Sequence, residues 1–290
     1  MTNVTYGPNR PPLRHRALLP LVATVAAAVS LAGCAGADGT PPRPGTTGSA
    51  PGSTTASAAA PAADNRLPLA GKVIVVDPGH NPGNFAHTRE INKLVDIGTN
   101  RKECDTTGTS TNDGYTEAEF TLDVSHRLRT LLMKQGATVQ FTQDNDRPYG
   151  PCVDERAEIG NKATADAVIS IHADGSGEGN RGFHVILPAP VKGGTADTTR
   201  IVGPSRALGE DIAAEFARAT GSEPSNYVGD GTGVDVRKDL GGLNLSTVPK
   251  VFIECGNMRD AKDAAQLTSS RWRQKAAQGI ADGIGTYLRG

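Results

Sequence analysis

Aromatic side chains are scarce in this 290-residue chain, at 4%, and there is one Trp. There are four cysteines and no CxxC pair, which excludes a zinc ribbon or finger built on thiolates. Neither sign of charge is in excess: 30 Lys and Arg stand against 31 Asp and Glu, for a net charge of −1. A dedicated nucleic-acid binder carries a basic surplus, so no nucleic-acid partner is expected. The only extended apolar run lies near the N-terminus, is short for a bilayer span and is broken by Pro20, which excludes a polytopic membrane protein. Internal repeats are absent. Gly (35) and Pro (19) are abundant, more than one uniform globule needs, so part of the chain is expected to lie outside the folded domain.

That part is N-terminal. Arg10, Arg14 and Arg16 precede the nearly uncharged stretch from Ala17 to Ala32, the layout of a secretory signal peptide. It ends Leu31-Ala32-Gly33-Cys34, which resembles the lipobox of bacterial lipoproteins, with Cys34 as the lipid acceptor. Ordinary cleavage near Ala35 or Ala37 is the alternative. Removing residues 1–33 takes away three Arg and no acid, leaving 27 bases against 31 acids. Residues 34–66 are mostly Ala, Gly, Pro, Ser and Thr without apolar period, and read as a lipid-anchored disordered linker. As a flexible coil it would reach roughly 30 Å. Residues 67–290 are enough for a single domain with a sizeable core.

In that domain strand and helix patterns alternate. Val73–Val76, Ala167–Ile171 and Val251–Ile253 are runs expected of strands covered on both faces; Thr138–Thr142 and Gly182–Leu187 are weaker strand patterns. Phe120, Val124, Leu128, Leu131 and Leu132 form a helical stripe ended by Gly136. Leu208, Ile212 and Phe216 form a second, opened by Pro204 and closed near Gly221; Trp272 to Leu288 form a third. The expected fold class is α/β: a single domain with a mostly parallel or mixed central β-sheet and helices on both faces.

Ligands in such sheets sit beyond the carboxyl ends of the strands. His80, His172 and Glu254 each stand at such an end, and Glu117 opens the first helix. Two His and one carboxylate are a common hydrolytic zinc set, leaving a fourth position for water. HExxH is absent, so the fold would have to assemble the set. Thr116 and Glu119 have capping-box spacing, which leaves Glu117 free in the first turn; that both acids are ordinary first-turn residues is as good a reading. Cys104 and Cys152, both in loops, are the better disulfide pair in an oxidising compartment, and Cys255 reads as a buried thiol.

Four segments occur in order: Val76-Asp77-Pro78-Gly79-His80, Gly114-Tyr115-Thr116-Glu117, Ser170-Ile171-His172-Ala173-Asp174 and Phe252-Ile253-Glu254-Cys255-Gly256-Asn257. With Cys152–Arg156 and Asp239–Leu245, they resemble the zinc-dependent N-acetylmuramoyl-L-alanine amidases of the Amidase_3 family, in its compact mycobacterial-type branch. Asp174 stands where many members have Asn, and Cys255 follows the catalytic Glu; neither is a ligand position. The resemblance implies one Zn2+ per chain on His80, Glu117 and His172, with Glu254 as the catalytic carboxylate. It implies hydrolysis of the amide between N-acetylmuramic acid and L-alanine in peptidoglycan. Zinc lowers the pKa of bound water from about 15.7 to about 7, and a carboxylate can carry its proton to the departing amine.

The expected protein is thus exported, held to the membrane by a lipid on Cys34, facing the periplasm or cell wall, and monomeric. The alternatives are a non-catalytic envelope-binding lipoprotein, another cell-wall zinc hydrolase such as a carboxypeptidase or deacetylase, or a solute-binding lipoprotein. Other residues have plainer readings. His184 is expected to be a packed strand residue, and His87 and His126 solvated. Arg156 would brace the sheet edge through an ion pair; Asp77 and Asp174 could orient an imidazole, although Asp77-Pro78-Gly79 could be simply a tight turn. The aperiodic stretch 81–116 could be a lid pinned by the disulfide. Asp239–Leu245 either touches the stem peptide or is an ordinary loop.

Overall fold

The computed structural model describes residues 66–290. The signal segment, Cys34 and nearly all of the linker lie outside the described residues. Strands β1 (Val73–Pro78), β2 (Thr138–Phe141), β3 (Ala167–Asp174), β4 (His184–Pro188), β5 (Val234–Arg237) and β6 (Lys250–Asn257) form one sheet in the order β2-β1-β3-β6-β4-β5. Only the β6–β4 pair is antiparallel. The single α/β domain with a mixed sheet is as expected. β1, β3 and β6 are its centre, where a strand must be apolar on both faces.

Helices α1 (Glu117–Lys134), α3 (Val202–Thr220) and α5 (Ser270–Arg289) cover one face. Their stripes bury Phe120, Val124, Leu128, Ile212, Phe216 and Ile280 against Ile74, Val76, Ile169 and Val251. Each such side chain contributes about 1.5–3 kcal/mol relative to exposure. Thr116 and Glu119 close the expected capping box on α1: Thr116 Oγ1 accepts from Glu119 N–H and Glu119 Oε2 accepts from Thr116 N–H. Gly221 ends α3 at φ 74°; Pro204 lies inside the first turn of α3, which begins at Val202. Helix α4 (Ala261–Leu267) links β6 to α5.

The other face is covered differently. Helix α2 (Val153–Lys162) packs only over the lower half, where Val75 and Val168 meet Ile159 and Val248. Successive strand residues alternate between faces. The register sets Asp77 beside Ser170, Ser170 beside Phe252, and His172 beside Glu254, which is flanked in turn by His184. The polar positions therefore share one face at the carboxyl end of the sheet, above α2. Residues 81–116 roof them. This stretch carries a helical turn (Thr88–Ile91) and a hairpin, Leu94–Asp96 with Arg101–Glu103. It is tied down by the Cys104–Cys152 bond (S–S 2.06 Å) and by hydrogen bonds from Lys102 to Asp239 and from Arg156 to Asp105.

Candidate metal centre and its surroundings

His80 follows β1 in a left-handed conformation, φ 61°, which is uncommon for a residue with a Cβ. Arg156 holds it there. Its guanidinium, on α2 and buried, donates to the carbonyls of Pro151, Pro78 and His80 and to the carboxylates of Asp77 (2.7 Å) and Asp105 (2.9 Å). Gly79 has to be glycine, because a Cβ there would lie 2.3 Å from the His172 ring.

The hydrogen bonds around the two imidazoles assign their protons. His80 Nδ1 lies 3.1 Å from the Thr106 carbonyl, which can only accept, so Nδ1 carries the hydrogen. In the neutral ring Nε2 then offers a lone pair, 3.2 Å from Glu117 Oε1. Ser170 Oγ gives its proton to Asp77 at 2.8 Å and receives that of His172 Nε2 at 3.2 Å. In the neutral ring His172 Nδ1 offers a lone pair as well, 2.9 Å from the same Glu117 oxygen. Thr109 N–H and Ala173 N–H steady the carboxylate. Phe252 stacks on His172, ring centroids 5.3 Å apart.

Three lone pairs thus converge, all ligand atoms within 4.8 Å of one another. Such an arrangement calls for a cation. Burial lowers the pKa of His80, but the charges of Glu117 and Asp105 outweigh it and hold it well above 6.5. Burial raises the Glu117 carboxyl, and the two imidazoles pull it below the ordinary range. Two imidazole nitrogens and one carboxylate, each fixed by outer partners, fit a hydrolytic zinc ion with a further position open.

Glu254 lines the same cavity, of about 280 Å³, with His80, Glu117, His172, Asp174 and Arg237. Its Oε2 is out of contact with solvent and has no hydrogen-bond partner among the described residues. Burial, with Glu117 and Asp174, pushes its carboxyl well above the usual range against His80 and Arg237. A carboxylate so tuned suits taking a proton and returning it. Two further cavities share wall residues with this one. One, of about 190 Å³, lies behind His172 and Phe252 and is closed by Leu240, Gly241 and Gly242. The other lies beyond Gly108 and Thr109.

Two expectations need correction. Asp77 touches no imidazole directly: it accepts from Arg156, Thr142 and Ser170 and pairs with the buried Lys250 at 3.4 Å, so it reaches His172 only through Ser170. Asp174 accepts from Tyr227 O–H at 2.7 Å and from Gly175 N–H, and orients no imidazole. Arg156 is an ion-pair brace, but of the His80 loop. His184 is buried with Nδ1 unpartnered and lies outside the cluster; burial lowers its pKa. His126 is not simply solvated, since it pairs with Asp144 at 2.7 Å, and the half-exposed His87 lies against the Tyr149 ring. Asp239 is bound to Arg237 and Lys102, at the mouth of the cavity behind His172. The sequence gives Asp105 no role and presents Ser170 and Phe252 only as strand and segment positions. Cys255 is free and buried.

The sequence signature of Amidase_3, N-acetylmuramoyl-L-alanine amidase, matches residues 74–286. The N-acetylmuramoyl-L-alanine amidase Rv3717 of Mycobacterium tuberculosis is 38% identical over 228 residues, covering 76% of this chain and 88% of that one. The crystal structure of the N-acetylmuramyl-L-alanine amidase Ami1 from Mycobacterium smegmatis superposes with a TM-score of 0.69 at 38% identity, over 76% of this chain and 98% of its own. The apo form of Ami1 from Mycobacterium abscessus gives 0.69 at 40%, over 76% and 100%.

Proposed function

The chain belongs to the Amidase_3 family of N-acetylmuramoyl-L-alanine amidases, and from that premise we propose a zinc-dependent hydrolase that frees the stem peptide from N-acetylmuramic acid in peptidoglycan. His80, Glu117 and His172 hold one zinc ion, and Glu254 is the catalytic carboxylate. The observation that carries this reading is the pair of imidazole nitrogens that converge on one Glu117 oxygen, beside a carboxylate with an unpartnered buried oxygen. Bound there, zinc supplies Lewis acidity that polarises the scissile carbonyl and makes water a usable nucleophile at neutral pH.

The protein's own groups do the rest. Thr106 and Ser170 hold the two imidazoles in the tautomers described, so neither ring must reorient. Glu254 takes the proton of the attacking water as oxygen adds to the carbonyl carbon. It then gives that proton to the alanine nitrogen as the C–N bond breaks, so that the amine leaves neutral. The products are the lactyl carboxylate of the sugar and a peptide with a free L-alanine amino terminus. Export follows from the N-terminal segment, with a lipid on Cys34 as membrane anchor, and the protein acts as a monomer on the cell wall.

The test is metal analysis of the purified protein with mass spectrometry of digested muropeptides. The wild type should carry one zinc per chain and release intact stem peptides. Glu254→Gln should retain the zinc and lose roughly 10²–10⁴-fold in rate. Products shortened at the peptide's carboxyl end, or sugars lacking acetyl groups, would replace this reading with a carboxypeptidase or deacetylase.

A further inference from the structure

Phe85 is the most exposed large apolar side chain among the described residues, at 74%. A lone exposed Phe needs no explanation. This one edges a groove of about 440 Å³ whose floor and walls include Thr107, Gly108, Thr109, Ser110 and Thr116. Gly108 and Thr109 also line the cavity of the metal centre, so the groove adjoins the reacting site. Gly108, at φ 71°, allows the loop between them to lie close against the ligand set: a Cβ there would come within 2.8 Å of both Glu117 Oε2 and His80 Cδ2.

The three adjoining cavities differ in charge. No residue lining the Phe85 groove is ionisable. The metal cavity and the one behind His172 are lined by ionised groups of both signs, among them Arg237 and Lys102, which both bind Asp239. A substrate that spans a sugar and a peptide must run out of the centre in two directions. The peptide arm carries ionised groups and is served by the side that has charged partners. The sugar arm is neutral there: it offers hydroxyl and acetamido groups around a ring whose axial C–H bonds form an apolar face. Thr109 and Ser110 have hydroxyls with no hydrogen-bond partner among the described residues, and Thr107 has only a long bond to the adjacent Gly108 carbonyl. A flat apolar ring beside unpaired hydroxyls in an uncharged trough matches a pyranose and matches a peptide carboxylate poorly.

We infer that the Phe85 groove is a pyranose subsite: the N-acetylated sugar on the acyl side of the scissile amide lays its C–H face on Phe85 and bonds its polar groups to Thr107, Thr109 and Ser110. The inference rests on the amidase reading above and gives the substrate its direction, sugar toward Phe85 and peptide toward Lys102.

Two substrates with the same scissile amide test it with the full-length, zinc-loaded protein: N-acetylmuramoyl-L-alanyl-D-isoglutamine and the sugar-free D-lactoyl-L-alanyl-D-isoglutamine. Phe85→Ala should lower kcat/KM on the muramyl substrate roughly five- to tenfold, through KM with kcat unchanged. It should leave the lactoyl substrate unaffected, and Phe85→Trp should restore the wild-type value. Ser110→Ala should show a smaller loss with the same selectivity. Equal loss on both substrates, or no loss on the muramyl one, overturns the subsite while leaving the amidase reading intact. A wild type that cleaves neither substrate overturns both.

Discussion

A single buried guanidinium governs the candidate metal centre from outside it. Arg156 meets five acceptors, and through Asp105 and the carbonyls of Pro78 and His80 it sets the loop that aims His80. Lysine keeps the charge but not the fork. Arg156→Lys should therefore fold, retain Glu254 chemistry and bind zinc roughly 10–100-fold more weakly, as read by chelator competition. Asp105 makes a pH-dependent contribution. Burial raises its carboxyl, but the Arg156 charge and His80 overcome this and lower it from 3.8 to about 2. The sign is that of a depressed acid: the stabilisation is complete above about pH 4 and is lost as pH falls toward 2. Asp77, also held low by Arg156 and Lys250 against burial, titrates in the same sense. Asp105→Asn should be less stable at pH 6, by about 3 kcal/mol for a broken buried pair, and should lose less than the wild type between pH 5 and pH 2.5 in urea unfolding of metal-free protein. A wild-type slope retained in the variant would remove Asp105 from this role. His80, His172 and Glu254 stood out because strand ends carry ligands in such sheets; the cap formed by Thr116 and Glu119 freed Glu117 without assigning it, and only the family resemblance chose it. Asp105 was not, for it lies in an aperiodic loop where only its neighbour Cys104 marks a fixed point. Ser170 and Phe252 could have been found by extending the two-residue strand period back from His172 and Glu254.

At the level of elements, the design is a sheet with one face fully covered and the other half covered. Three amphipathic helices bury the first face, and their stripes were plain in the sequence because period 3.6 over four or five turns is a strong pattern. The second face is less legible. Its functional positions interrupt the apolar alternation, and α2 has only Ile159 and small residues to signal a buried side. Strand β5 was missed because it is a short edge strand carrying Asp235 and Arg237, and antiparallel pairing of β4 cannot be read from β4 itself. The Cys104–Cys152 bond joins these elements at a useful point. Cys104 precedes Asp105, Cys152 is the N-cap of α2, and Cys104 C=O accepts from Val153 N–H at 2.8 Å. The bond therefore fixes the roof to the helix that carries Arg156. The Cys104→Ser/Cys152→Ser double variant should lose about 3–4 kcal/mol of stability in a loop-closure account. Its zinc affinity should also fall, roughly tenfold, because the Asp105–Arg156 geometry depends on both ends. A variant that is less stable but binds zinc as tightly as wild type would confine the bond to folding.

For the molecule as a whole, the question is which part performs the chemistry and which part places it. Among the described residues, both core clusters lie between Leu69 and Ile284, and the metal centre, the Glu254 cavity and the two that adjoin it lie inside the same limits. Ami1 chains are matched over 98% and 100% of their own length by 76% of this one, so a domain of this extent folds without a counterpart of the rest. The role we propose for residues 1–65 is to set location. A chain starting at Arg66 should fold, bind one zinc and cleave small soluble muropeptides with the kcat/KM of the full-length protein. Cys34→Ala in the producing cell should move the protein from the membrane fraction to the soluble exported fraction, again with catalysis unchanged. In intact cells the proposed anchored form and the freed form should diverge in the wall they reach, since a lipid on Cys34 would keep the enzyme close to the membrane. Membrane association that survives Cys34→Ala would assign the anchoring to another feature of the N-terminal segment and leave the catalytic domain as described.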